Sequence, residues 1–320
     1  MTSATIEVHL VEDDLLSALR SDVLTGLTSS PKVLPPKWFY DARGSELFDQ
    51  ITRLPEYYPT RTESALLHRS AGEIAALAKP DILVELGSGS AEKTRTLLTA
   101  LDSLRMFVPQ DFSPAALEEA ATAVKSEYPH LVVHGVVSDF TETLHNLPGG
   151  GSRMIAFLGG TIGNFAPDER AEFLSSIRAV LQPGEQLVLG AGLVIDESVL
   201  VPAYDDAAGV TAEFNRNVLR VINSRLGGNF DPDAFRHVAR WDAQNNWIEM
   251  RLEATKAMTV RIEDLDLDVQ FAAGEQMRTE ISAKFTTDGL RSELATAGFE
   301  TTHIWTDDLD RFALVLATAR

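Results

Sequence analysis

Cysteine is missing from the 320-residue chain altogether. That absence removes disulfides, thiolate nucleophiles, cysteine-ligated zinc and iron–sulfur clusters together. Positive charge is scarce as well: 28 Lys and Arg stand against 47 Asp and Glu, a net charge of −19. So acidic a surface repels phosphate backbones and anionic lipid, which argues against nucleic-acid or membrane partners. No apolar run is long enough to span a bilayer. Met1–Leu10 lacks the basic stretch and apolar core of a secretory signal, so a cytoplasmic location is expected. No repeat of fixed period appears, and no Gly-x-Ser-x-Gly elbow is there to anchor Ser/His/Asp hydrolysis. Among seven histidines only His130 and His134 are four apart, and Pro129 with the strand pattern after it denies them a helix. No metal is expected. What remains is an ordinary globular composition, 44% hydrophobic and 23% charged.

Up to about Thr62, turn residues and aromatics predict short helices and ordered loops rather than a sheet: Pro31, Pro35, Pro36, Trp38, Phe39, Tyr40, then Pro55, Tyr57, Tyr58 and Pro59. The pattern then changes. A helix over 63–78 leads to an apolar strand at 82–86, followed by a helix at 92–100 and a strand at 106–109. A helix at 115–127 and strands at 131–137 and 154–158 come next, then a helix at 168–180 and a strand at 186–189. Such alternation argues for a parallel, doubly wound sheet. It lapses over about 196–285 and resumes with a helix at 288–297 and strands at 302–306 and 312–317, the last expected to insert antiparallel. Within the gap, 247–252 alternates as a half-buried strand. Asp264-Leu265-Asp266-Leu267-Asp268 alternates too, its acidic face solvated rather than calcium-binding.

Val84-Glu85-Leu86-Gly87-Ser88-Gly89-Ser90 joins the first strand of the alternation to its helix, where nucleotide-like cofactors bind in such sheets. A Gly-x-Gly alone marks any tight turn. The dinucleotide fingerprint needs Gly or Ala at 92, where this chain has Glu92, and an acidic first helical turn opposes a docked pyrophosphate. S-adenosylmethionine (SAM) carries no phosphate, and the loop favours it over NAD. Lys93 suits its carboxylate. Asp111, 22 residues after Gly89, suits its ribose hydroxyls. Asp139 and Phe140 follow a strand where a carboxylate accepts from the adenine amine. Each acid taken alone can be read as a plain loop residue, the weaker reading; the set, in strand order, points to a cofactor site.

Phe157-Leu158-Gly159-Gly160-Thr161-Ile162-Gly163-Asn164-Phe165 carries the fourth strand into a glycine-rich turn, where a transferase places substrate groups. Asn164 there is a helix cap, a turn residue or a substrate contact. Familiar strings accumulate around it: Pro35-Pro36-Lys37-Trp38-Phe39-Tyr40-Asp41, Leu47-Phe48-Asp49-Gln50-Ile51-Thr52, and Pro55-Glu56-Tyr57-Tyr58-Pro59-Thr60-Arg61-Thr62-Glu63. Ala203-Tyr204-Asp205-Asp206, Phe214-Asn215-Arg216-Asn217 and Thr279-Glu280-Ile281-Ser282 follow. On these the chain resembles, along essentially its whole length, the histidine-specific SAM-dependent methyltransferases, the L-histidine Nα-methyltransferases of ergothioneine biosynthesis. It departs from their pattern at Gln110, Gly160 and Ala191-Gly192, none of which removes a matched contact.

The resemblance implies an α/β fold: a seven-stranded class I (Rossmann-like) methyltransferase sheet from 63–195 and 286–320, with a second, substrate-binding α+β lobe from 1–62 and 196–285. It implies three methyl transfers to the α-nitrogen of L-histidine, giving hercynine. It assigns SAM to Gly87, Lys93, Asp111, Asp139 and Phe140, and the amino-acid end of histidine to Tyr57, Asn164 and Tyr204, with Gly159 also substrate-binding. Glu280 and Ser282 would hydrogen-bond the imidazole, with Met250 lining the same pocket. Tyr40, Tyr57 and Asn164 stand as catalytic residues, the tyrosine faces tolerating the final quaternary cation. Residues 280 and 282 are two apart on a strand and share a face, and a carboxylate with a hydroxyl there can satisfy both ring nitrogens. L-histidine and its mono- and dimethylated forms are the implied ligands of a monomer without metal, nucleic-acid or membrane partners. A sibling enzyme acting on another amino acid or imidazole compound, and a non-catalytic SAM-binding regulator, are the alternatives.

Overall fold

A computed structural model describes residues 4–141, 144 and 147–320. The chain opens with β1 (Thr5–Val8), α1 (Glu12–Thr28) and α2 (Ala42–Thr52). From α3 (Tyr58–Leu77) it alternates through β2 (Ile82–Leu86), α4 (Arg95–Ala100), β3 (Met106–Asp111), α5 (Pro114–Glu127) and β4 (Val132–Val137). β5 (Arg153–Phe157), α6 (Pro167–Val180) and β6 (Gln186–Gly192) complete that run. Next come α7 (Glu197–Tyr204), α8 (Val210–Leu226), β7 (Phe235–Asp242), β8 (Trp247–Ala254), β9 (Met258–Ile262), β10 (Leu267–Phe271) and β11 (Gln276–Ala283). α9 (Thr287–Thr296), β12 (Phe299–Thr306) and β13 (Phe312–Ala319) close it.

The chain divides into two compact units, Met1–Val11 with Pro59–Val194 and Phe285–Arg320, and Glu12–Tyr58 with Ile195–Lys284. In the first, the described residues form an eight-stranded sheet in the order β1-β4-β3-β2-β5-β6-β13-β12. β1 to β6 run parallel, and β13 lies antiparallel to both β6 and β12. Strands β2, β5, β6 and β13 are apolar and buried along nearly their whole length, as a sheet covered on both faces requires. The doubly wound order with its antiparallel insertion is the class I methyltransferase arrangement. The eighth strand corrects the sequence reading: β1 was expected among helices and loops. Four mostly exposed residues, tied to the sheet edge by backbone pairing with β4 and by Glu7 to His134 Nε2 at 2.9 Å, carry no apolar pattern to announce them.

The second unit packs α1, α2, α7 and α8 with an antiparallel sheet in the order β11-β8-β7 and the hairpin β9–β10. Asp41 caps α2 by accepting from the Gly44 N–H at 2.8 Å, and Asp196 caps α7 through Ser198 at 2.9 Å. The acidic alternation at 264–268 is a correction. Glu263–Leu265 is a 3₁₀ turn, and Asp266 takes a φ of 49°, which ends the extended run until Leu267. Its acids meet arginines: Asp264 pairs with Arg20 at 3.0 Å, and Asp266 with Arg261. No helix among the described residues is long and apolar enough to cross a membrane.

Candidate active site

β2 ends where Gly87 takes a φ of 69°, a backbone region that costs glycine nothing. The N–H groups of Gly87 and Ser88 both donate to the Gln110 carbonyl, at 2.9 and 3.1 Å, pinning the loop to β3. A Cβ on Gly87 would sit 3.4 Å from the Phe140 ring, so these two expected cofactor residues are neighbours. Asp111, at the end of β3, accepts from the Gly89 and Ser113 N–H groups at 2.9 and 3.0 Å. Burial raises its pKa, against those hydrogen bonds. Asp139 accepts from the N–H and hydroxyl of Thr141 at 2.9 and 2.5 Å. The buried Gln110 amide donates to Ser138 Oγ at 2.5 Å, so this departure from the family pattern ties β3 to the residue before Asp139.

One sequence expectation shifts here. Residues 92–94 form a turn, Ala91 has a φ of 52°, and α4 starts only at Arg95, so Glu92 is not in a first helical turn. The objection to a pyrophosphate then rests on the exposed Glu92 charge beside the loop rather than on a helix terminus. The donor set does fit a sugar and an amino-acid tail: two carboxylates, an ammonium and an aromatic edge. Ser88 Oγ adds a buried hydroxyl without a hydrogen-bond partner among the described residues.

Lys93 has a companion that the sequence reading missed. Its ammonium is ion-paired with Glu63, a carboxylate only 1% exposed, which also accepts the Gly159 N–H at 2.7 and 3.0 Å. Glu63 closes one of the quoted strings, and a lone acid among the apolar positions of α3 was its signal. Gly190 on β6 makes room for it, since a Cβ there would come within 2.0 Å of Glu63 Oε1. Nearby, Glu85 is buried, accepts from Thr94 Oγ1, and is pushed up to about 8 by desolvation. Asn164 ends the 3₁₀ turn Thr161–Asn164 after β5. The cap of α6 is Ala166, so the helix-cap reading of Asn164 falls away.

In the second unit the decisive detail is a β-bulge. Arg278 faces Arg251 on β8, but Glu280 faces the adjacent Met250, leaving Thr279 as the extra residue. Facing residues share a side of the sheet, so the bulge moves Glu280 and Ser282 off the Arg251 side and onto the Met250 side. Thr279 itself is buried and donates to Asn215 Oδ1 at 2.6 Å. Beside Ser282, the Tyr204 hydroxyl lies 2.8 Å from Oγ. The Lys284 ammonium, a second residue the sequence reading passed over, donates to both at 2.8 Å. Tyr57 and Tyr204 meet edge to face at 6.2 Å, and Tyr40, Phe48 and Phe214 continue the aromatic cluster with centroids 5.3–5.8 Å apart. Burial raises the pKa of both Tyr57 and Tyr204. Groupings of His, Asp and Glu able to hold a metal are absent among the described residues.

The model of the histidine-specific, SAM-dependent methyltransferase family matches residues 19–319. This chain belongs to that family. It is 54% identical to the histidine N-alpha-methyltransferase of Mycolicibacterium smegmatis over 312 residues, 97% of each chain. With the enzyme of the same name from Mycobacterium tuberculosis the identity is 53%, again over 97% of each. An N-methyltransferase of Aspergillus flavus is 28% identical over 91% of this chain and 82% of its own. The family is one of SAM-dependent transferases, and the methyl donor of this chain is SAM.

Proposed function

We propose that the chain methylates the α-nitrogen of L-histidine three times, giving hercynine, as the first step of ergothioneine biosynthesis. The observation that carries this reading is the identity along 97% of the chain with histidine N-alpha-methyltransferases. The bulge on β11 is its physical counterpart, because it places an acceptor and a hydroxyl side by side on the Met250 face. In this reading Gly87, Lys93, Asp111, Asp139 and Phe140 hold SAM, whose sulfonium supplies an electrophilic methyl group. Glu280 and Ser282 hold the imidazole, with Met250 beside them. Tyr57, Asn164 and Tyr204 take the amino-acid end, and Gly159 is a further substrate-binding residue. Each transfer needs a neutral amine in line with the methyl group, so positioning supplies most of the rate. Tyr57 and Tyr204 stay protonated, since burial raises both, and they serve as hydrogen-bonding groups rather than phenolate bases. The faces of Tyr40 and Tyr57 accommodate the positive nitrogen of the product. L-histidine and its mono- and dimethylated forms are the ligands of a cytoplasmic monomer, with no metal, nucleic-acid or membrane partner in the reading.

Incubation with SAM and a panel of amino acids, read by mass spectrometry with fragmentation, tests the proposal. Three methyl groups on the α-nitrogen of histidine are expected, and dimethylhistidine should also be consumed. Methyl groups on a ring nitrogen, or preference for another amino acid, would overturn it.

A further inference from the structure

Glu280 and Ser282 lie two apart at the end of β11, and Lys284, two further on, is the first residue past it; its backbone N–H donates to the Asn246 carbonyl at 2.7 Å. Ser282, Tyr204 and Lys284 are all buried, with 6%, 7% and 7% of their surface exposed. Their polar atoms form a closed triangle: Nζ to the Tyr204 hydroxyl, Nζ to Ser282 Oγ, and hydroxyl to hydroxyl, each at 2.8 Å. Burying an ammonium is costly, and burial does lower the pKa of Lys284, against the opposing influence of the nearby Tyr58 and Glu280. What this group does is act on its two hydroxyl neighbours.

Counting hydrogens shows what that is. An ammonium donates and never accepts, while each hydroxyl has one hydrogen and two lone pairs. Both oxygens therefore accept from Lys284. The contact between them uses one of the two hydroxyl hydrogens; its 2.8 Å length suits either donor, and we assign it to the phenol, the stronger acid. Ser282 Oγ then accepts twice, its lone pairs are filled, and its own hydrogen points out of the triangle. It can only donate. Glu280, two residues back on the same face, can only accept while ionised.

We propose that Lys284 is a positioning residue: by donating to Tyr204 and Ser282 it turns the Ser282 hydroxyl into an obligate donor, so that the face beside Glu280 selects an uncharged azole, one ring N–H for Glu280 and one bare ring nitrogen for Ser282. The inference rests on the imidazole assignment above and sharpens it. An imidazolium, with two N–H groups, meets a donor at Ser282 and is refused. A benzene ring satisfies neither group, and leaving buried polar groups unpaired is how a site rejects an isostere strongly.

A double-mutant cycle tests this. Ser282→Ala alone should raise KM for histidine about tenfold, the size expected for one hydrogen bond. Lys284→Met should raise it by a similar factor, with kcat reduced no more than about threefold, and Ser282→Ala added to Lys284→Met should cost less than about twofold more. Fully additive costs, or a loss of kcat and of S-adenosylhomocysteine affinity in step with a fall in Tm, would make Lys284 merely structural and overturn the inference. The unmutated protein gives an independent check should Lys284→Met fail to fold. With S-adenosylhomocysteine present, calorimetry should show histidine affinity falling as pH drops below the ring pKa of about 6.5. The affinity of 1,2,4-triazolylalanine, whose ring stays neutral there, should hold steady while Glu280, Lys284, Tyr57, Tyr58 and Tyr204 see the same change of pH. Parallel curves for the two ligands would sink the proposal. Failure of the wild-type protein to methylate histidine at all would instead refute the function proposed above.

Discussion

The ring of His237 donates its Nε2 hydrogen to the backbone carbonyl of Tyr204 at 2.8 Å. The tautomer follows from the other nitrogen. Asn215 holds its Oδ1 towards the Thr279 hydroxyl, so its amide nitrogen faces His237 and donates to Nδ1 at 2.8 Å. Tyr204 is thus held at both ends, by His237 at its backbone and by Lys284 and Ser282 at its hydroxyl.

That ring is neutral, and burial keeps its pKa below the ordinary value. The unfolded chain takes up the proton first, so the stabilisation is full above about pH 6.5 and is lost as pH falls towards the lower folded value. Thermal melts between pH 5 and 7 should show wild type losing Tm more steeply than His237→Gln, which can still accept and donate. Parallel curves would remove His237 from the acid limb.

Glu85 has the opposite sign. Burial lifts it to about 8, so the folded protein keeps a proton that the unfolded chain releases near the ordinary carboxylate value. Stability should therefore decline as pH rises from about 4.5 to 8. Glu85→Gln should match wild type below pH 5 and exceed its Tm at pH 8. An equal difference at both pH values would refute the assignment.

Glu63 should be more sensitive to truncation than to neutralisation. Glu63→Gln keeps an acceptor for the Gly159 N–H and should cost about 1–2 kcal/mol; Lys93 is a quarter exposed and finds water. Glu63→Ala removes the acceptor of Lys93 and of the Gly159 N–H from a position only 1% exposed and should cost about 3 kcal/mol. Gly190→Ala forces a methyl group against the same carboxylate, and overpacking of this kind should cost about as much. Urea titration of the three variants gives the order.

Asp111→Ala removes the acceptor of two backbone N–H groups as well as the proposed ribose partner. Calorimetry should show S-adenosylhomocysteine bound more weakly by about 2–3 kcal/mol, a loss of roughly 30- to 150-fold. Affinity within threefold of wild type would place the ribose elsewhere.

Glu280→Ala should lower kcat/KM for histidine at least about 100-fold while Tm moves little, since a half-buried pocket carboxylate is not core packing. The gap to phenylalanine should narrow, and more so with Met250 trimmed. Unchanged kcat/KM would show that the imidazole lies elsewhere.

The parallel sheet was legible because β2, β5 and β6 are short apolar runs punctuated by glycine and separated by helical patterns. Asp111 and Asp139 were legible through their places at strand ends, and the chain's membership in the family through long, specific strings. β1 was not, because four exposed residues at a sheet edge leave no hydrophobic period. The bulge at Thr279 was invisible for a different reason: it depends on what β8 presents opposite, and alternation within β11 cannot reveal a change of parity. Glu63 and Lys284 were missed because each acts through partners distant in the chain or in another element, Gly159 and Lys93 in one case and Tyr204 in the other.

The placement of β13 has a consequence for how the chain is made. β6 meets β13 from Gln186 opposite Thr318 to Gly192 opposite Phe312, so about 120 residues are synthesised between the two halves of one strand pair. At ribosomal speeds that is on the order of ten seconds during which an apolar strand in the middle of the sheet has one edge bare. Bare edges recruit other chains. A frameshift or stop codon just before Phe312 should then yield aggregate rather than a shortened enzyme, even though every residue assigned to SAM or histidine would still be present.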